Sequence, residues 1–481
     1  MIPFANFEPD RTQYALDAST WIVNAIPVKD GWGPLPAVVP FTQALPAACK
    51  GACFARTASG SFRIFAGTAT GLYELNQTDY SWTDVSGLSV PYGVPAEDKW
   101  CFTQFGNTLF ASNIADPHQS IDLTSGTDFA DAAGSPPQAK YTWIAGEYFC
   151  LGHLATDPTA IMTSGIGDAS YWTIGQRGCD IQPFPDGGEI KGGIGAERGA
   201  TIFQRSMIRG MAIASGGDYS FTTQVINPGR GVLAPLTIAQ IGPGQYFYYS
   251  GDGFFTGPEG RPIGAERVDR WFLEQADSAK IGEARSVADP FNKIVWTQAI
   301  DASGAKFLVG YNWQLDRWCY ADNNVSEMVP MVTPGVTWDG IETLFASWDE
   351  ADIPWDSAIL SGGLLRFAAF DTDNKLGFFT GLPRAATLTT ADTELNAGSR
   401  SFLQQARVYT DCNDFTLKAI TSDKHGGTRT TGSAVAPYGA TGLCHFRSSA
   451  LLHAFQMEIP AGTDWNQVMG VEPVARREGA R

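Results

Sequence analysis

Lys99-Trp100-Cys101-Phe102-Thr103-Gln104-Phe105-Gly106-Asn107-Thr108-Leu109-Phe110-Ala111-Ser112-Asn113 sets two short apolar runs on either side of a Gly-Asn pair. Such runs read as a β-hairpin, because glycine and asparagine take up the turn backbone that the right-handed twist of the strands demands. Degenerate copies recur at intervals of roughly forty to fifty residues, the signature of a repeat array. Upstream, residues 62–75 close on Tyr80-Ser81-Trp82; downstream, residues 141–151 end at Tyr171-Trp172 and residues 201–211 end near Tyr219-Ser220-Phe221. Residues 245–255 continue the series, residues 293–296 run through 307–312 to Arg317-Trp318, and residues 342–347 with 364–370 form the last and weakest copy.

A small antiparallel sheet with an aromatic outer strand cannot bury both of its faces alone, so the units stack around an axis. The expected fold is therefore all-β: a β-propeller of six or seven blades followed by a small C-terminal β-sandwich-like domain. A lone two-sheet sandwich fits less well, since one such domain takes about 100 residues and the repeats extend over roughly three times that. The 53 Gly, 28 Pro and 12% aromatic residues agree with many strands and turns. The best helix candidate is residues 268–275, read as a short helix or an outer blade strand.

The chain is long enough for two or three domains. Residues 1–45 are expected to complete the ring of blades and residues 46–380 to form the propeller. Blade-like spacing stops after residues 377–383. Residues 381–470, with longer strands at 401–409 and 451–460 around a polar loop at 421–432, read as a sandwich-like oligomerisation or platform domain. Residues 471–481 read as an exposed basic tail.

A net charge of −17, from 50 acidic and 33 basic residues, argues against a broad phosphate-gripping surface. It is compatible with DNA passing by, because acidic walls repel a polyanion, and equally with simple solubility. The start, Met1-Ile2-Pro3-Phe4-Ala5-Asn6-Phe7, lacks the basic and apolar regions of a secretory signal, and no membrane-spanning segment is expected. Cysteines at 49, 53, 101, 150, 179, 319, 412 and 444 stand mostly singly in apolar strands, which suits buried thiols better than disulfides.

Signals for chemistry are thin. Cys49 and Cys53 lack a second pair to complete a zinc tetrad, and His118, His153, His425, His445 and His453 lack metal-ligand spacing. No Gly-x-Ser-x-Gly elbow or phosphate-binding loop occurs, and the Gly-rich residues 192–199 precede a strand, so they read as a turn. Propellers can host glycan hydrolysis by paired carboxylates about 5–9 Å apart. Asp79 with Asp84, Asp252 with Glu259, Glu266 with Asp269, and Asp349 with Glu350 are the pairs that sequence offers, but acidic residues beside glycines are ordinary turn formers. No catalytic, cofactor-binding or metal-binding residue is assigned, and the expectation is a protein that is not an enzyme.

Several phrases carry a resemblance. Phe7-Glu8-Pro9-Asp10, Gly31-Trp32-Gly33-Pro34-Leu35-Pro36, Asp116-Pro117-His118-Gln119, Gly165-Ile166-Gly167-Asp168, Asp289-Pro290-Phe291-Asn292 and Ile459-Pro460-Ala461-Gly462-Thr463-Asp464-Trp465 are of the kind found in tailed-bacteriophage virion proteins. The chain resembles the tail nozzle, or packaged-DNA stabilisation, proteins of short-tailed phages, over most of its length and without a catalytic signature. The resemblance implies a protein made in the host cytoplasm and built into the virion tail. There it forms a hexameric ring below the portal and adaptor, touched by needle or tail-fibre proteins, through which double-stranded DNA is retained and ejected. Six copies would carry 6 × −17 = −102 formal charges around that channel. The polar stretches 113–137 and 184–199 are expected to be loops that meet those partners. The alternative reading is a propeller-based receptor-binding or glycan-processing tail protein.

Overall fold

The computed structural model describes residues 1–88, 90–214, 220–322, 325–333 and 363–478. Among them the architecture is all-β, with one α-helix, Asp269–Gln275, and three single-turn 3-10 helices. The weak hairpin copy at 342–347 lies outside the described residues.

Seven four-stranded antiparallel sheets follow one another along the chain. The opening stretch is the second of them: Cys101–Phe105 pairs Thr108–Ser112 across Gly106-Asn107, then Gln119–Asp122 and Ala130–Asp131 complete the sheet. Gly106 sits at φ +58 in that two-residue turn, and Gly146 does the same between Ala139–Ala145 and Tyr148–Leu154, a conformation glycine adopts without the clash a Cβ brings. The third sheet ends with Ala160–Thr163 and Asp180–Pro183, and the fourth runs Ile190–Ala196, Gly199–Gln204, Ile208–Ile213 and Phe221–Asn227. The fifth holds Ala239–Gly242, Gln245–Tyr249, Phe254–Thr256 and Arg261–Pro262, and the sixth Arg285–Asp289, Ile294–Ile300, Lys306–Asn312 and Arg317–Ala321.

First and last sheets close the series. The first is Ala52–Arg56, Phe62–Gly67, Leu72–Leu75 and Trp82–Asp84; the seventh is Glu327–Val332, Leu365–Phe370, Leu376–Pro383 and, from the other end of the sequence, Pro36–Pro40. First strands pack together from the first sheet to the fourth and from the fifth to the seventh, and that of the seventh returns onto that of the first. The arrangement is propeller-like, with aromatic and aliphatic side chains such as Phe65 and Phe129, or Phe110 and Phe149, stacked between neighbouring sheets.

Two larger sheets use both chain ends. In one, Leu443–Ala450, Ser401–Thr410, Val468–Arg477, Gly31–Pro34 and Ala25–Val28 lie side by side, with Ile2–Pro3 also on Val468–Arg477. The other orders Thr430–Thr431, Thr416–Ser422, Leu452–Ile459, Ala386–Thr389 and Ile22–Val23. Their inward residues, among them Trp32, Leu388, Leu403, Phe455 and Met457, join one continuous core with Phe254, Trp296 and Trp318 of the fifth and sixth sheets.

Several expectations are corrected here. Residues 471–477 are not a free tail: they belong to the Val468–Arg477 strand, which the inward side chains of Ser401–Thr410 hold in register, although Arg476 and Arg477 stay exposed. Of the first 45 residues, Pro36–Pro40 joins the seven sheets, Asn6–Phe7 and Ala18–Ser19 pair with each other in a small parallel sheet, and the remaining strands enter the two larger ones. Stretch 113–137 is loop interrupted by two short strands of the second sheet, and 184–199 contains the first strand of the fourth, so neither is one continuous loop. The helix candidate is a helix; it has no side-chain cap of its own, and Asp10 accepts the Arg270 and Trp271 N–H groups at 2.9 and 2.7 Å.

Candidate functional site

First strands of the second to seventh sheets converge on one cavity of about 460 Å3, lined by Tyr141, Thr142, Lys191, Gln240, Arg285 and Pro330 among others. Sharing Cys101, Tyr141 and Lys191 with it, a second cavity of about 380 Å3 opens at the strands' N-terminal ends, walled by Glu97, Asp98, Lys99, Lys140, Glu189 and Glu283. Together they form an axial space with a charged mouth.

A rule of register builds that mouth. Lys50 and Lys99 stand two residues before their first strands, Lys140 and Lys191 are second in theirs, and Arg285 and Glu327 open theirs. A repeated fold thus brings charged side chains to the start of the first strand in every sheet except the fifth, whose first strand is Ala239–Gly242. The Glu327 carboxylate, 2% exposed, accepts Lys99 Nζ at 2.6 Å and also Arg285 Nη1, so one buried anion serves two cations. Lys140 pairs with Asp98, and Lys191 with Glu189 at 2.6 Å. Lys50 donates to the carbonyls of Pro95 and Ala96, and Lys306 to that of Ser326.

Burial makes Lys50, Lys99, Arg285 and Lys306 reluctant cations. It pulls Lys99 down to about 8, with Arg285 adding repulsion, and Arg285 itself down to about 10. Lys50 and Lys306 are lowered as well, first by burial and then by the charge on Lys99. His153, whose Nδ1 lies 3.0 Å from the Ile190 carbonyl, is lowered by burial. Cations and carboxylates are therefore interleaved at one end of the axis, with Lys99, Lys140, Lys191 and Arg285 each paired to an acidic side chain.

The carboxylates weighed from sequence lie elsewhere. Asp79 and Asp84 close turns by accepting the Ser81 and Ser86 N–H groups at 3.1 and 2.9 Å. Asp252 is held by Arg230 at 2.8 Å, while the backbone carbonyl of Glu259 accepts Asn227 and Glu266 occupies a turn at φ +60. Asp269 is buried against Gly253 and Gly264, where no Cβ fits, and accepts the Phe254 N–H at 3.1 Å; burial pushes its carboxyl up to about 7. Asp349 and Glu350 lie outside the described residues. All eight cysteines are free thiols, and among the described residues no group of three or more His, Cys, Asp or Glu is placed to hold a metal ion. No helix among them is long and apolar enough to cross a membrane.

Residues 192–199 are not a turn preceding a strand. Gly192, Gly193 and Gly195 lie within Ile190–Ala196, and a Cβ on Gly193 would meet the Trp143 ring at 2.4 Å while one on Gly195 would meet the Ile144 carbonyl at 1.4 Å. Glycine is required there because two first strands touch near the axis. The charged mouth was missed at the level of sequence, although Lys50, Lys99, Lys140 and Lys191 recur at the repeat interval; the signal lay in that spacing.

No family model matches the chain, and no curated protein matches it. Solved structures that align with it include the extracellular domain of a hybrid two component system from B. thetaiotaomicron, at 10% identity and TM-score 0.38 over 79% of this chain and 44% of that one. Others are the computationally designed Ika8 protein, at 10% identity and TM-score 0.38 over 72% and 98%, and BamB from Moraxella catarrhalis, at 12% identity and TM-score 0.36 over 74% and 92%. This chain therefore spans less than half of the first of them.

Proposed function

We propose that this chain is a non-enzymatic structural protein of the virion tail, a subunit of a hexameric nozzle below the portal and adaptor through which the genome is retained and released. In this reading the seven four-stranded sheets are blades of a seven-bladed propeller, and the two larger sheets are a β-sandwich platform that joins subunits. The supporting observation is how the chain is locked. Pro36–Pro40 completes the seventh sheet, strands on either side of the propeller-like part pair with each other, and one apolar core runs through both parts. Such a body resists deformation because no terminal element can leave without breaking a ladder. The acidic surface suits a conduit for a polyanion.

A density map of particles that carry the chain tests this. Six copies below the portal are expected, together with co-sedimentation of the purified chain with portal and adaptor. Copies at peripheral fibre positions would replace the nozzle by the receptor-binding alternative.

A further inference from the structure

The larger of the two axial cavities combines three features: it is lined by Lys191 and Arg285, it has no Asp or Glu among the described residues of its wall, and it lies inside an acidic protein. Among the described residues the Arg285 side chain has one hydrogen-bond partner, Glu327, which it reaches through Nη1, and it is 18% exposed. A guanidinium is a planar fork suited to two parallel bonds to an oxyanion, and Glu327 occupies one arm of this one. Lys191 lines the same space from the fourth sheet, its Nζ keeping donors beyond the one on Glu189 at 2.6 Å, while Thr142 and Gln240 add polar groups and the Tyr141 ring an apolar wall.

We propose that this axial cavity binds a small oxyanion, a carboxylate or phosphate on a body no larger than a monosaccharide, between Arg285 and Lys191. The volume of about 460 Å3 lies in the range of small-molecule sites. At the mouth, Asp98 and Glu283 stand where the ligand's outer end would emerge, so hydroxyl groups there find acceptors and a second anionic group is repelled. Binding an anion also offsets the burial that lowers Arg285, and the burial and Arg285 repulsion that lower Lys99. This proposal is independent of the nozzle reading, since a plugged axis within one subunit is separate from any channel between subunits.

Calorimetric titration and thermal melts of the full chain test it, with sodium phosphate and sodium glucuronate as probes and glucose and ionic-strength-matched sodium chloride as controls. Saturable binding of phosphate, glucuronate or both is expected, with neither control binding. Phosphate alone identifies a phosphoryl ligand, and glucuronate alone a sugar acid. Lys191→Gln is expected to weaken binding about tenfold or more, the loss of one charge-assisted bond. Arg285→Gln should do at least as much; if that variant fails to fold, Lys191→Gln carries the test. No binding above the chloride control, or unchanged affinity in Lys191→Gln, overturns the proposal.

Discussion

At the scale of residues, buried polar groups are placed by need. His118 is 1% exposed, with Nδ1 2.6 Å from Ser112 Oγ and Nε2 2.9 Å from the Pro137 carbonyl, so it ties the second sheet to the strand that opens the third. Burial pushes it down to about 4, and His453, fully buried, is pushed to about 4 as well. Below the ordinary imidazole value the unfolded chain takes up protons that these folded side chains refuse. Their contribution to stability is therefore complete above about pH 6.5 and is lost as pH falls from there toward 4. Urea unfolding at pH 7 and pH 4.5 should show His118→Gln losing less stability between the two than the parent, by up to about 3 kcal/mol. An equal loss in both proteins would refute the assignment. Glycines tell a related story: Gly193 and Gly195 look in sequence like turn formers, yet contact with Trp143 and Ile144 is what demands them.

Elements were legible where their pattern was local. The hairpin at residues 99–113 and the aromatic strands that begin at Trp82 and Arg317-Trp318 followed from short-range alternation and turn chemistry, whereas the stretch near residue 270 read equally as helix or outer strand and is a helix. Residues 113–137 and 184–199 were misread as loops because an outer or glycine-rich strand carries too few apolar residues to signal itself. The single helix is an element completed from far away, since Asp10 caps it across the sequence. Asp10→Ala should lower stability by about 1 kcal/mol and loosen the N-terminal segment. Faster amide exchange at Arg270 and Trp271 is the expected readout, and unchanged exchange would remove the cap from the account.

For the whole molecule, closure matters more than any one sheet. Glu327 binds Lys99 from the second sheet and Arg285 from the sixth, so one carboxylate spans the mouth. Breaking a buried pair leaves cations without an anion, which typically costs more than the pair contributes. Glu327→Ala should therefore destabilise by about 3–5 kcal/mol, measured by denaturant titration, whereas breaking an exposed pair such as Arg270–Glu274 should matter far less. A small effect at Glu327 would mean that the mouth is held by packing alone.

Alternation, glycine turns and the repeat interval determined by themselves that this chain makes many small antiparallel sheets, because those signals act between residues a few positions apart. Tertiary structure alone decided that Pro36–Pro40 closes the seventh sheet, that the two chain ends share two larger sheets, and that cations from successive repeats meet at one mouth. Each of those is a pairing of distant segments, fixed by which surfaces are left to bury once the local sheets exist, and no neighbouring residues encode it.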